Sequence, residues 1–223
     1  MAIFHGNAIP SAVSDYDIDN SCRFDRADSH SLLSSAYLIS EANTLSFWFK
    51  RTSFGHSNCY LFQGNDMYAT ITSGDLIEFG RSGCDGTTTR VLRDPSAWYH
   101  IHFEATSSNT KIYINGVLEV TLTCANSYSS GAMRIGGTIG GSDYFDGYIA
   151  ELHLVDGTTL DPTSFGESGD YGEWKPIKYT GSHGTEGYYL DFSDSAALGD
   201  DAAGSNDFTP ANLAASDQMT DTP

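Results

Sequence analysis

The stretch that decides the fold runs from Phe145 to Gly157 and reads FDGYIAELHLVDG. An Asp-Gly pair at each end, at 146–147 and 156–157, marks a turn. Between the turns, apolar residues alternate with the others at a period of two, which is typical of a half-buried strand. One face is predicted to carry Ala150, Leu152 and Leu154, and the other Glu151, His153 and Val155.

Strands of the same kind precede this stretch. Leu45 to Arg51 places Leu45, Phe47 and Phe49 on one face and Trp48 on the other. Residues 98–105 alternate in the same way. The pair Asn115-Gly116 lies between two apolar runs, and this is the strongest short signal for a β-hairpin. Short strands separated by turns every ~8 to 12 residues predict a β-sandwich.

Composition supports an all-β chain. Aromatic residues make up 13% of the 223 residues, and 23 glycines supply turns. Length alone allows one large sandwich or two small domains. The regular strand spacing favours a single antiparallel two-sheet sandwich.

The charge balance is strongly acidic, with a formal net charge of -18. Binding to a phosphate backbone requires Lys and Arg to displace counterions, so direct nucleic-acid binding is not expected. Anionic membranes repel such a chain, and no apolar run approaches the ~20 residues that span a bilayer. We therefore expect no membrane insertion, and the first residues lack the pattern of a secretory signal.

Four cysteines are present, at Cys22, Cys59, Cys84 and Cys124. An even count permits two disulfides with three alternative pairings. No CxxC pair points to structural zinc. Synthesis in a cytoplasm favours reduced thiols over disulfides.

A set of motifs in fixed order carries a resemblance to a known family. Its members are Asp25, Leu45 to Arg51, Trp98-Tyr99-His100, Lys111 to Gly116, Met133 to Gly136 and Tyr144 to Glu167. This order resembles concanavalin A-like jelly-roll domains of laminin-G or pentraxin type, and most closely those of tailed-bacteriophage structural proteins. The expected fold is an antiparallel two-sheet jelly-roll sandwich over residues 1–195, followed by a polar C-terminal arm or linker over residues 196–223.

The resemblance also implies a function. It predicts a non-enzymatic structural protein of the virion, made in the host cytoplasm and displayed on the phage surface to attach to host glycans. Its partners would be other virion proteins and host-surface glycans, and a homo-oligomer is a further option. The alternatives are a capsid or tail decoration module without sugar recognition, and a soluble lectin unconnected with phages.

The sequence contains none of the catalytic motifs considered below, and this supports the prediction of a non-enzymatic protein. Glycosidases on this fold carry Glu-x-Asp-x-x-Glu on one strand, and that pattern does not occur here. Glu104, Glu119 and Glu151 are single carboxylates on predicted strands. Neither a Gly-x-Ser-x-Gly elbow, nor HExxH, nor a P-loop is found.

Carbohydrate recognition needs an aromatic face beside polar side chains. Loop aromatics Tyr128 and Tyr144 fit this requirement, with Asn126 and Asp143 as their polar neighbours. Trp48 is a further candidate if its face is open, and core packing is the alternative for it.

The resemblance to laminin-G and pentraxin domains implies Ca²⁺ at a rim of loops. Carboxylates are suitable ligands for this hard cation. The loop candidates are Asp25, Asp28, Asp85, Asp143 and Asp146. Asp146, just before Gly147, has tight-turn formation as its alternative role. His100-x-His102 has the spacing of some zinc sites, but hydrogen bonding within the fold is the favoured interpretation.

Overall fold

The computed structural model describes residues 16–35, 39–64, 66–81, 84–123 and 130–223. Within them are two large antiparallel sheets, one two-stranded sheet and two short 3₁₀ helices, at Pro162–Ser164 and Ala215–Asp217. The strands are β1 Ser21–Phe24, β2 Ser31–Ser34, β3 Asn43–Arg51, β4 Asn58–Gln63, β5 Met67–Thr72, β6 Ile77–Arg81, β7 Cys84–Thr87, β8 Trp98–Ala105, β9 Asn109–Ile114, β10 Val117–Thr123, β11 Arg134–Ile135, β12 Gly147–Asp156, β13 Gly166–Ser168, β14 Trp174–Pro176, β15 Tyr188–Leu190, β16 Phe208–Ala211 and β17 Gln218–Met219.

The first sheet has the order β10-β9-β8-β3-β12-β1-β17, with β15 also paired to β12. The second sheet has the order β16-β2-β11-β4-β5-β6-β7. Strand β12 is central to the first sheet, because β3 pairs along one side of it while β1 and β15 pair with its two halves on the other. The prediction of an all-β, antiparallel two-sheet sandwich is confirmed.

Aromatic rings from both sheets fill the space between them. Phe47 and Phe103 of the first sheet meet Phe62 of the second edge to face, with centroids 6.2 Å and 5.7 Å away. Phe79 stacks on Phe103 at 4.7 Å. Offset and edge-to-face pairs add to the energy of apolar burial, so this cluster fixes how the sheets face each other.

Strand β12 contains a β-bulge. Ala150 pairs with Trp48 and His153 with Ser46, so two residues, Glu151 and Leu152, face Phe47 alone. Glu151 accommodates the extra residue with φ +49, an uncommon conformation for a residue with a side chain.

The bulge corrects one prediction about side-chain direction. Ala150 was expected on the same face as Leu152 and Leu154, but it packs with Trp48 and Ile18 outside the main core. Leu152 and Leu154 do lie in the main core. A bulge shifts the alternation by one residue, and so Ala150 and His153 both belong to the outer face.

A third layer covers the outer face of the first sheet. Residues 160–183, here called the cover segment, include the first 3₁₀ helix, β13 and β14. Asp161 caps that helix by accepting a hydrogen bond from the Thr163 amide, and Pro162 occupies its first turn. Strands β13 and β14 pair with each other. The cover segment therefore buries the side chains that β3, β8 and β12 direct away from the core.

The last residues return to the sandwich. In the 196–223 segment, predicted as an arm or linker, β16 pairs with β2 of the second sheet and β17 pairs with β1 of the first. Ser21 Oγ also donates to the Asp221 carbonyl across 2.7 Å. The segment thus lies along both sheets, while the boundary at residue 195 stays a prediction.

The described cysteines are free thiols: Cys22, Cys59 and Cys84. Burial raises the pKa of the Cys22 thiol well above its ordinary value. Cys124 lies outside the described residues. Within the described part of the chain, no helix has both the length and the apolar character needed to cross a membrane.

Candidate functional site

A groove on the outer face of the first sheet collects all three tryptophans of the chain. Its volume is about 330 Å³. The floor is Trp48 of β3, and the walls include Trp98 of β8, Trp174 of β14 and Tyr16. The remaining lining residues are Asp17, Glu173, Lys175, Pro176 and Pro223.

Trp174 is held in a fixed orientation. Its indole N–H donates to Nδ1 of His100 across 3.0 Å, and the two rings stack at 5.9 Å. A Cβ atom at Gly116 or at Gly166 would overlap the indole ring, so both positions must be glycine for the ring to lie there. The φ of Gly116 is +73, which also favours glycine. This wall is therefore preorganised before any ligand arrives.

Trp98 is fixed from the other side. Its indole N–H donates to Oδ1 of Asp221 across 3.2 Å, and Oδ2 of the same carboxylate accepts from Lys50 Nζ at 2.8 Å. These hydrogen bonds occupy the indole N–H groups of Trp98 and Trp174, so a molecule bound in the groove would meet their rings and not these donors. The ring centroids of Trp48 and His100 lie 5.0 Å apart, and Trp48 is 4% exposed.

A buried polar network lies next to the groove. Glu151 Oε1 accepts from Tyr189 Oη at 2.5 Å, and Oε2 lies 3.3 Å from His153 Nε2. Burial acts to raise the pKa of Glu151, but hydrogen bonds from His153, Tyr189 and Tyr16 hold it below its ordinary value. Burial and the Glu151 charge raise the pKa of Tyr189. The network links Tyr16, on the groove wall, to β12 and β15.

The histidines of the outer face bind the cover segment. His153 Nδ1 lies 3.0 Å from His183 Nε2, and His102 Nε2 lies 3.0 Å from the Leu160 carbonyl. Burial lowers the pKa of His102 to about 4. The pKa of His183 is also lowered to about 4, chiefly by burial and secondly by the electrostatic effect of His153. His102 and His183 are therefore neutral at pH 7, and the contacts of the histidines hold the third layer on the sheet. Among the described residues no group of three or more His, Cys, Asp or Glu side chains is placed to hold a metal ion.

A second depression, of about 390 Å³, lies between residues 180–187 and 202–206. Its walls are mostly small polar residues and glycines, together with His183 and Tyr189. Polar groups in this depression already form hydrogen bonds within the protein: Asn206 Nδ2 donates to the carbonyls of Thr185 and Gly187. The three-tryptophan groove is the stronger candidate site because it adds aromatic faces to polar groups.

The structure separates the predicted sugar-binding residues. Trp48 forms the groove floor, within the outer-face cluster. Asp143 and Tyr144 lie on the β11–β12 loop, where the Asp143 carbonyl accepts from the Tyr60 amide and the Tyr144 carbonyl from Arg26. Asn126 and Tyr128 lie outside the described residues.

The predicted calcium ligands have partners within the chain. Asp25 pairs with Arg23 at 2.6 Å, Asp85 accepts from Tyr68, Asp143 from Ser142 and Asp146 from Thr52. The Asp28 carbonyl accepts from Asn212, and its side chain is exposed.

A cationic side chain already joins two of these loops. Arg26 Nη1 donates to the carbonyls of Asn58 and Tyr144, at 3.1 Å and 2.8 Å. The five aspartates therefore do not assemble into one calcium site, and calcium binding at any of them stays a prediction.

Sequence reasoning missed Tyr16, Trp98 and Trp174 as site residues. A signal for Trp98 was available, because its strand places it on the face opposite the core residues Ile101 and Phe103, as Trp48 is on β3. That signal becomes informative only when β3 and β8 are known to be neighbours. No pattern pointed to Trp174, which lies in a stretch without strand periodicity.

The chain belongs to the concanavalin A-like lectin/glucanases superfamily, whose sequence model matches residues 25–163, more than half of the chain. The laminin-G-like resemblance seen in the sequence is thereby confirmed at the level of the domain family. No curated protein matches the chain. Nothing in these comparisons concerns tailed bacteriophages, and that finer part of the resemblance stays a prediction.

Several solved structures share the fold. A Bacteroides ovatus protein to which carbohydrate binding has been ascribed is 18% identical with a TM-score of 0.66, over 92% of this chain and 60% of its own. The CBM40 of Ruminococcus gnavus IT-sialidase, bound to α2,3-sialyllactose, is 15% identical with a TM-score of 0.50, over 66% of this chain and 97% of its own.

Mouse laminin α1 domains LG4-5 are also 15% identical with a TM-score of 0.50, over 73% of this chain and 47% of their own. This chain therefore spans less than two thirds of both the Bacteroides and the laminin chains. At such identities the likeness shows the fold alone.

Proposed function

We propose that this chain is a non-enzymatic, lectin-like domain that binds glycans in the three-tryptophan groove. The observation that carries the proposal is the meeting of Trp48, Trp98, Trp174 and Tyr16 in one concave site. Aromatic faces cover the C–H faces of sugar rings, and carboxylates and ammonium groups bind their hydroxyls. The exposed carboxylates of Asp17 and Glu173 supply such acceptors.

The size of the groove suits a short oligosaccharide. Ligand pockets range from about 300 to 1,000 Å³, and the groove lies at the lower end of that range. Trp98 and Trp174 are rigid because each indole N–H has an acceptor within the protein. Binding then loses little side-chain entropy at these two residues.

The engagement of the strand carboxylates supports a non-enzymatic role. Glu104 holds Lys111 and Tyr113, and Glu119 holds Arg90 and Thr89. Glu151 is 7% exposed and bound by Tyr189 and His153. Hydrolysis of a glycoside requires two carboxyl groups that both reach the scissile bond.

The setting we propose is the surface of a phage virion, where the domain attaches to host glycans. The support for this setting is the ordered set of motifs in the sequence. A decoration or assembly module is the second candidate, favoured by Val117 and Leu118 on β10. These side chains are 53% and 49% exposed, on a strand whose one hydrogen-bonded neighbour in the described structure is β9. Such an edge can receive another protein.

A glycan array, followed by calorimetry on the best ligand, tests the proposal. Trp98→Ala and Trp174→Ala should each weaken binding about tenfold or more, as loss of a central aromatic anchor does. Tyr144→Ala is the matched control on the β11–β12 loop, and circular dichroism verifies the fold of each variant. A loss in Tyr144→Ala without one in Trp98→Ala would move the site to the loop. Silence of the intact protein on the array would overturn glycan binding, and tight virion association in that case would favour decoration.

A further inference from the structure

The three-tryptophan groove has an electrostatic character that selects among glycans. We infer that it takes neutral oligosaccharides and rejects those carrying sialic acid, uronic acid or sulfate. This inference rests on the proposed glycan binding and adds the class of ligand. It follows from the pairing of the cations near the groove with carboxylates and from the exposed carboxylates in the groove lining.

The cations beside the groove are paired with carboxylates. Lys175 is the one cationic side chain in its lining, and its Nζ lies 2.9 Å from Glu167 Oε1. Lys50, reached through Trp98 and Asp221, has its Nζ 2.8 Å from Asp221 Oδ2. Neither lysine offers an uncompensated positive charge to an anionic sugar.

The undescribed part of the chain contains no Lys or Arg. All 11 Lys and Arg residues fall within the described ranges, because positions 1–15, 36–38, 65, 82–83 and 124–129 contain none. Lys178 is exposed but is not among the groove residues. His100 behind Trp174 stays neutral, because burial lowers its pKa well below the ordinary value.

The rim of the groove is negative. Asp17 and Glu173 are exposed carboxylates in its lining. The whole chain adds to this field with its formal charge of -18. An anionic sugar entering the groove would approach these carboxylates, while Lys175 and Lys50 are already paired and offset little of the repulsion.

Neutral sugars meet the opposite situation. Their hydroxyl groups donate hydrogen bonds, and carboxylates are strong acceptors for them. Trp98 and Trp174 are half-buried in the lining of the groove, and their rings present apolar surface there because both indole N–H groups are already bound within the protein. A neutral pyranose with an apolar C–H face therefore complements both the rim and the walls.

Matched glycan pairs test this inference. The probes are neutral oligosaccharides, such as lactose, each beside a counterpart that differs by one sialic acid, uronic acid or sulfate, on an array and then by calorimetry. The neutral member should bind about tenfold or more tightly at low ionic strength. The gap should narrow in 1 M salt, where the screening length falls to about 3 Å.

A charge variant supplies the second arm. Glu173→Lys should raise the ratio of anionic to neutral affinity several-fold, whereas Lys178→Ala should leave that ratio unchanged. Equal or tighter binding of the anionic members by the intact protein would overturn the neutral-glycan inference while leaving glycan binding intact. Absence of binding to every member of every pair would overturn the proposed function itself.

Discussion

Trp174 donates its indole N–H to Nδ1 of His100 across 3.0 Å. Since indole only donates, Nδ1 must accept, and Nε2 must carry the imidazole proton. Nε2 lies 2.8 Å from Ser46 Oγ and donates a hydrogen bond to that oxygen. The chain of hydrogen bonds from Trp174 through His100 to Ser46 joins the groove wall to the centre of the first sheet.

His100→Phe should weaken both folding and glycan binding. Phenylalanine keeps a ring in the layer but removes both hydrogen bonds, which leaves the indole N–H and the Ser46 hydroxyl without their partner. We expect a loss of about 1 to 3 kcal/mol in the free energy of unfolding, measured in urea. His56→Phe, on the loop after β3, is the control. An unchanged unfolding free energy would show that the His100 bonds contribute nothing.

His102 should make stability depend on pH. Burial lowers its pKa from 6.5 to about 4, so between these values the unfolded chain takes up a proton that the folded chain does not. Stability contributed by neutral His102 is complete above pH 6.5 and is lost as pH falls toward 4, by up to roughly 3 kcal/mol.

His102→Leu should remove this part of the pH dependence. The substitution also removes a buried ring nitrogen, Nδ1, that has no hydrogen-bond partner. Chemical denaturation at several pH values between 4 and 7 measures the difference between the two proteins. Parallel stability curves for the two proteins would rule out His102 as the titrating group.

The ion pair between Arg51 and Asp75 should be worth more than that between Arg93 and the same carboxylate. Arg51 is 2% exposed and also donates to the Leu92 carbonyl at 2.6 Å. Arg51→Met leaves the buried Asp75 carboxylate with Arg93 as its cationic partner, so we expect a cost of about 3 kcal/mol, at the lower end of the range for breaking a buried ion pair. The Arg93 side chain is 67% exposed, so Arg93→Met should cost about 1 kcal/mol or less. Equal losses in urea denaturation would contradict this ranking.

Chelation tests the calcium prediction. If Ca²⁺ supports the loops that carry Asp25, Asp28, Asp85, Asp143 and Asp146, EGTA should lower the melting temperature and added Ca²⁺ should restore it, because a ligand of the folded state stabilises it by mass action. An equal melting temperature with EGTA and with excess Ca²⁺ would show that Ca²⁺ does not stabilise this domain.

The sandwich could be predicted because the alternation of apolar with other residues shows which face of each strand packs in the core. Residues 45–51 and 98–105 alternate clearly, and they form β3 and β8. The Asn115-Gly116 turn takes positive φ at both residues and joins β9 to β10 as expected. These features depend on local sequence, which a single chain displays directly.

The site could not be predicted in the same way because it depends on which strands are neighbours. Trp48 and Trp98 come together only through the pairing of β3 with β8, where Trp98 faces Lys50. Trp174 arrives from a segment with no periodic pattern, and β17 brings the last residues back beside β1. Such long-range placement leaves little trace in composition or spacing.

The bulge at Glu151 decides where β12 tolerates a change of length. Deleting Glu151 would leave Leu152 alone opposite Phe47, with Ala150 and His153 still on the outer face, so the main loss would be the carboxylate that binds Tyr189 and His153. Deleting a residue of β12 outside positions 151 and 152 would instead exchange the faces of everything on one side of the deletion. In a library of variants, deletion of Glu151 should therefore be depleted far less than single-residue deletions elsewhere in β12. The extra residue thus adds a buried carboxylate to the outer face without changing the alternation on either side of it.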